Sequence, residues 1–189
     1  MNIVPLVYAK DGKLLDGKDG NQVSIDDLFK RVEKDMMLYV LDLDGIEHNN
    51  PALDLYQKLT EHCILWIDDG PRRLDDVMDT IMAGATNITL RNDLWPEIDY
   101  PGVQELTDDD IYIAMSEQQK EQRQPLSFFS EDIGIVLFND ASDYTMFSKD
   151  VLTKHKLYFY TQSTDKAPFW NEQGLTGILI DLNKKEGNN

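Results

Sequence analysis

Hydrophobic and polar positions follow two rhythms along this chain. Apolar runs of strand length occur at residues 38–43, 63–67 and 88–90, and between them apolar residues recur every third or fourth position. That combination predicts parallel strands joined by amphipathic helices. Each run ends in polar side chains: Asp42 and Asp44, then Asp68 and Asp69, then Arg91 and Asn92. Parallel α/β folds place their chemistry at the carboxyl ends of strands. These tips are therefore the first place to look for a site.

The pattern extends to both sides of this segment. Residues 3–9 read as a first strand, because Pro5 is tolerable near a strand start. A loop rich in glycine and charge spans 10–22, and Ser24 caps a helix carrying Ile25, Leu28, Phe29 and Val32 on one face. Asn50 and Pro51 open a second helix, with Leu53, Tyr56 and Leu59 turned inward. A third helix bears Leu74, Val77, Met78, Ile81 and Met82 and stops at Gly84. Further strands are expected at 111–115, 133–138, 157–160 and 177–180. A helix capped by Asp143 is expected between the strands at 133–138 and 157–160, and 164–176 holds only a short or irregular crossover. Eight strands at roughly regular spacing predict a single α/β domain over residues 1–189, a compact (β/α)₈ barrel with shortened helices in the second half. An open doubly wound sheet is the competing architecture.

Composition narrows the classes. Eighteen basic residues stand against 35 acidic ones, and a net charge of −17 argues against nucleic acid and anionic membrane as partners. No run approaches the ~20 apolar residues of a membrane span, and no signal peptide is visible. A soluble, cytoplasmic protein is expected. The single cysteine, Cys63, lies within an apolar run and reads as a buried thiol. His48, His62 and His155 are scattered, without ligand spacing, and read as solvated; neither a metal nor a cofactor is expected.

Several ordered motifs resemble the ProFAR isomerase family of histidine biosynthesis, aldose–ketose isomerases built as TIM barrels. VLDLDGIEHNNPALDL is similar to that family's strand-two motif, in which VDLDGA leads into a helix. DDGPRRLDD resembles GGGIRSLED, matching Gly70, Arg72 and Leu74. AGATNITL resembles AGADRVII, and VPLVYAKDGKLL resembles IPAIDLIDGKVV through Pro5, Asp11, Gly12 and Lys13. The tail GILIDLN is a weaker match to GVIVGKA. The likeness covers the first half well and the second half in spacing alone.

The resemblance implies catalytic aspartates at the ends of strands one and five, yet those positions hold Tyr8 and Ser116. Neither hydroxyl exchanges protons near neutrality as a tuned carboxylate does. It also implies two glycine-rich phosphate cradles. The first retains Gly70 beside Asp68 and Asp69, and Asp181 intrudes on the second. The expected protein is thus a divergent relative, distinct from the histidine-pathway isomerase. It would bind a small polar or phosphorylated metabolite, or a partner, at the strand carboxyl ends.

The candidate ligand-binding residues are Arg72, Arg91, Asn139, Thr161 and Asp181, and the candidate catalytic carboxylates are Asp42 and Asp140. Asp42 and Asp44, one residue apart in a strand, would share one side and help form an acidic rim. Such a rim could tune a carboxylate or bind a cation, or arginines could neutralise it as structural ion pairs. The alternative activity is a sugar-phosphate isomerase or lyase with a relocated acid–base pair drawn from Asp42, Asp44, Asp69 and Asp140. Two further readings are a DxDG-type Mg-dependent phosphatase, with Asp42 as nucleophile, and a pure scaffold. Trimmed helices would leave barrel wall uncovered, which predicts a homo-oligomer.

Overall fold

The computed structural model describes residues 1–18, 20–115, 132–138 and 154–185. The elements begin β1 (Asn2–Lys10), β2 (Lys13–Leu15), β3 (Gln22–Val23), α1 (Ile25–Arg31), β4 (Met37–Asp42), α2 (Leu43–His48) and α3 (Leu53–Leu59). They continue β5 (Ile64–Asp68), α4 (Leu74–Met82), β6 (Ala85–Arg91), α5 (Tyr100–Leu106) and β7 (Ile111–Met115). The rest are β8 (Ile133–Leu137), β9 (Leu157–Thr161), α6 (Ala167–Glu172), β10 (Gly177–Asp181) and α7 (Leu182–Lys185).

Parallel pairing runs β1, β4, β5, β6, β7, β8, β9, β10 and returns from β10 to β1. The result is a closed eight-stranded (β/α) barrel of the TIM type. At the seam Asn2 pairs with Gly177 and Leu6 with Asp181. Beyond Leu6 the strand β1 pairs with β2 instead, and β2 and β3 form an antiparallel ribbon. This ribbon occupies the segment expected to be a loop. Its strands of three and two residues are too short to show a period.

Alternation along each strand divides the core into two layers. Val7, Ala9, Leu38, Val40, Leu65, Ile67, Ile88 and Leu90 face outward and meet the helices. Val4, Leu6, Tyr39, Leu41, Trp66, Tyr112, Val136, Tyr158 and Leu179 fill the cylinder. Aromatic rings dominate this interior: Trp66 lies 3.9 Å from Tyr112 and 4.8 Å from Tyr158, centroid to centroid. Glycine makes room for them. A Cβ at Gly134 would sit 2.3 Å from the Tyr112 ring, and one at Gly177 would sit 2.5 Å from Tyr158. The barrel is a packed core, not a pore.

Local chemistry explains most element boundaries. Ser24 accepts from the Asp27 amide to start α1, as its position suggests. The α4 helix ends at Ala83, followed by Gly84 at φ +107°. Among the boundaries that differ from the sequence reading, two turn on Asp42. Strand β4 stops at Asp42, one residue early, because Asp42 becomes the cap of the unforeseen helix α2. The α3 helix begins at Leu53 with Ala52 as its cap residue, rather than at Asn50 and Pro51. The Ala52 amide is satisfied instead by Asp42 Oδ2 at 2.7 Å. Cys63 is free and buried, and burial pushes its thiol up to about 11. His155 is buried as well, contrary to a solvated reading, with Nδ1 2.9 Å from the Ile133 carbonyl. The expected Asp143 helix lies outside the described residues.

Candidate functional site

The inward-facing tips of five strands meet at the carboxyl end of the barrel. Asp68 ends β5, is fully buried, and receives a two-pronged contact from Arg91 at the end of β6. Nε donates to Oδ1 at 2.8 Å and Nη2 to Oδ2 at 2.6 Å. The Tyr39 hydroxyl adds a third bond to Oδ2 at 2.8 Å. Behind it, Thr89 Oγ1 lies 3.2 Å from Tyr39 and accepts from Trp66 Nε1 at 2.8 Å. Burial alone would lower the Arg91 pKa, but the Asp68 charge and hydrogen bonds hold it above the usual value. The guanidinium also rests 5.4 Å from the Phe138 ring centroid.

A second cluster spans the seam. Asp181 ends β10, is 3% exposed, and accepts from the Tyr8 hydroxyl at 3.2 Å and the Tyr160 hydroxyl at 3.1 Å. The two phenol oxygens are 3.4 Å apart, and Gln162 Nε2 donates to Tyr160 at 2.7 Å. Burial raises the Asp181 pKa, while bonds from Tyr160, Tyr8 and the Lys18 backbone pull it back. Burial likewise pushes the Tyr160 phenol up to about 12 and Tyr8 higher still, so both stay protonated donors at neutral pH.

Beside this cluster a cavity of about 400 Å³ opens between the end of β8 and the β9–α6 connection. Phe138, Tyr160 and Trp170 supply its apolar walls, and Thr161, Gln162 and Lys166 are among its polar lining. The mix of a few polar groups on an aromatic wall is what small-molecule sites present. The connection is partly rigidified by its own hydroxyls: Thr161 Oγ1 donates to the Ser163 carbonyl at 2.9 Å, and the Asp165 amide donates to Ser163 Oγ at 3.1 Å.

The structure therefore splits the residues nominated by sequence. Arg91, Thr161 and Asp181 reach the mouth; Asp42, Asp69 and Arg72 do not. Asp42 shares the outward phase of Val40 and is fully buried against the helices. Its carboxylate accepts from the Gly45 amide at 3.0 Å, the Ala52 amide at 2.7 Å and the Tyr56 hydroxyl at 2.5 Å. Asp44 lies on α2 and accepts from the Asp11 amide, so Asp42 and Asp44 do not form the shared rim expected of one strand face. Arg72 is spent on α2, donating to the Gly45 and Ile46 carbonyls and to Asn49 Oδ1 at 3.2, 2.8 and 2.7 Å. Ser116, Asn139 and Asp140 lie outside the described residues.

Asp69 accepts from Thr80 Oγ1 at 2.6 Å and leaves its buried Oδ1 without a hydrogen-bond partner among the described residues. Burial pushes its carboxyl up to about 7, and the neighbouring Asp42 and Asp68 charges add to the rise.

Tyr160, Gln162 and Phe138 were not anticipated. One signal was available: Tyr160 shares the phase of Tyr158, so it points into the cylinder at the strand's carboxyl end.

No protein-family model matches the chain, and no curated protein is significantly similar to it. Among the described residues no helix is long and apolar enough to cross a membrane.

Proposed function

We propose that this barrel is a divergent relative of the ProFAR isomerases that binds a small polar, unphosphorylated metabolite at its carboxyl-end mouth. The observation that carries the reading is that no arginine is found among the described residues lining the 400 Å³ cavity. Arg91 is committed to Asp68 and Arg72 to backbone carbonyls of α2, so neither is available to grip a phosphate. In the cavity Lys166 is accompanied by Asp165, so the described lining residues carry no net positive charge to favour an anion. The aromatic walls suit the apolar face of a sugar-like ring, and Gln162 and Thr161 suit its hydroxyls.

A second reading has its own support. Tyr8 occupies the position at which the resemblance implies an aspartate, and Asp181 supplies a carboxylate 3.2 Å away. An acid–base reaction would then use Asp181 as the proton acceptor, with Tyr160 between it and the cavity. This relocated pair differs from the carboxylates that the sequence nominated. The phosphatase reading is disfavoured, because a nucleophile must expose a carboxylate oxygen and Asp42 has its oxygens engaged in a fully buried setting.

Thermal unfolding in the presence of ribose, ribose 5-phosphate and inorganic phosphate tests the proposal. Stabilisation by ribose that disappears in Gln162→Ala supports it. Stabilisation by inorganic phosphate alone rejects it in favour of a surviving anion site.

A further inference from the structure

The opposite end of the barrel holds a cavity that the mouth reading does not use. Its volume is about 370 Å³, and its lining includes Val4, Met37, Asn87, Tyr112, Tyr158 and Lys156. Amino-terminal faces of such barrels ordinarily serve stability, which makes the polar content here informative. Asn87 shares the inward phase of Thr89 and Arg91 and is 4% exposed. The sole hydrogen-bond partner of its side chain among the described residues is the Met37 thioether, 3.6 Å from Nδ2. A buried carboxamide normally finds strong partners for both its donor and its acceptor. This one has only that weak contact and lines the cavity.

We propose that the cavity is a second ligand site, that it takes an adenine-type heterocycle, and that Asn87 reads the base edge. A carboxamide pairs bidentately with an exocyclic amine beside a ring nitrogen, the edge that adenine presents. Tyr112 and Tyr158, 5.7 Å apart between ring centroids, line the inner wall of the cavity, and Met37 adds a polarizable sulfur. Lys156 and Asp110, paired at 2.6 Å on the exposed rim, stand where ribose hydroxyls would emerge. The volume lies within the range of small-molecule sites. The site is independent of the mouth, so its failure would leave the reading of the mouth untouched.

Adenosine is the probe and purine riboside its control, because purine riboside lacks the exocyclic amine and leaves the carboxamide only one complementary contact, to a ring nitrogen. Titration of each into isotopically labelled protein, followed by NMR, should give saturable shifts at Asn87, Tyr158 and Lys156 with adenosine. Purine riboside should bind about tenfold more weakly, and Asn87→Ala should lose adenosine by about the same factor. No saturable shift at millimolar adenosine would overturn the proposal, as would equal response to both nucleosides or shifts confined to residues 160–166. If Asn87→Ala fails to fold, the wild-type comparison of adenosine with purine riboside decides.

Discussion

The Tyr8 phenol on β1 donates to the Asp181 carboxylate on β10 at 3.2 Å, across the strand pair that closes the cylinder. Backbone pairing at this seam ends where Leu6 meets Asp181, so the side-chain bond extends the closure beyond the ladder. Tyr8→Phe removes the donor and leaves Asp181 with fewer partners. A loss of about 1–2 kcal/mol in urea denaturation at pH 7 is expected. An unchanged midpoint would show that the seam does not depend on this bond.

Asp42 ties β4 to two helices through three donors. Asp42→Ala strands the Gly45 and Ala52 amides and the Tyr56 hydroxyl in a buried setting. The expected cost is about 3–5 kcal/mol, enough to threaten folding. Tyr56→Phe, which removes one donor, should cost about 1–2 kcal/mol. Chemical denaturation of both variants measures the pair, and near-native stability for Asp42→Ala would refute the capping role.

The Asp68–Arg91 pair is nearly dry, with Asp68 fully buried and the Arg91 side chain 16% exposed. Removing one partner leaves an uncompensated charge, so Arg91→Met should cost about 3–5 kcal/mol. Replacing both, with Asp68→Leu added, should recover much of that loss. If the double variant is no more stable than the single one, the penalty does not arise from the stranded carboxylate.

Asp69 makes stability depend on pH in a definite direction. Its folded pKa is raised from 3.8 to about 7, so between those values the folded state holds a proton that the unfolded state has released. Stability from this group is fully present below about pH 4 and is lost as pH rises through about 7. Asp69→Asn should therefore flatten the pH profile and stabilise the protein at pH 8 by a few kcal/mol, while changing little at pH 4. Denaturation midpoints at pH 4, 6 and 8 measure this. A variant that follows the wild-type profile at every pH would remove Asp69 as the source.

The barrel was legible because its strand cores are apolar and its helices carry one apolar face, as Leu38–Val40–Leu65–Ile67 and Leu74–Val77–Ile81 illustrate. What escaped was polar or brief. Thr86 and Asn87 concealed the first half of β6, and β2 and β3 are shorter than any readable period. The site was harder. The residue pattern nominated Asp42 by its place at a strand end, but its phase matches Val40 and directs it away from the cylinder. A carboxylate three residues before Gly45 was equally a helix cap, and the cap prevailed. Tyr160 and Asp181 meet only because β9 and β10 are adjacent in the closed sheet, and residue types alone did not identify that pair as a unit.

The most direct test of the mouth is an NMR titration of ribose and of inorganic phosphate into labelled protein. The account predicts saturable ribose shifts at Phe138, Tyr160, Gln162 and Trp170, with no response to phosphate at Arg72 or Arg91. Phosphate-driven shifts at either arginine, with none from ribose, would contradict it.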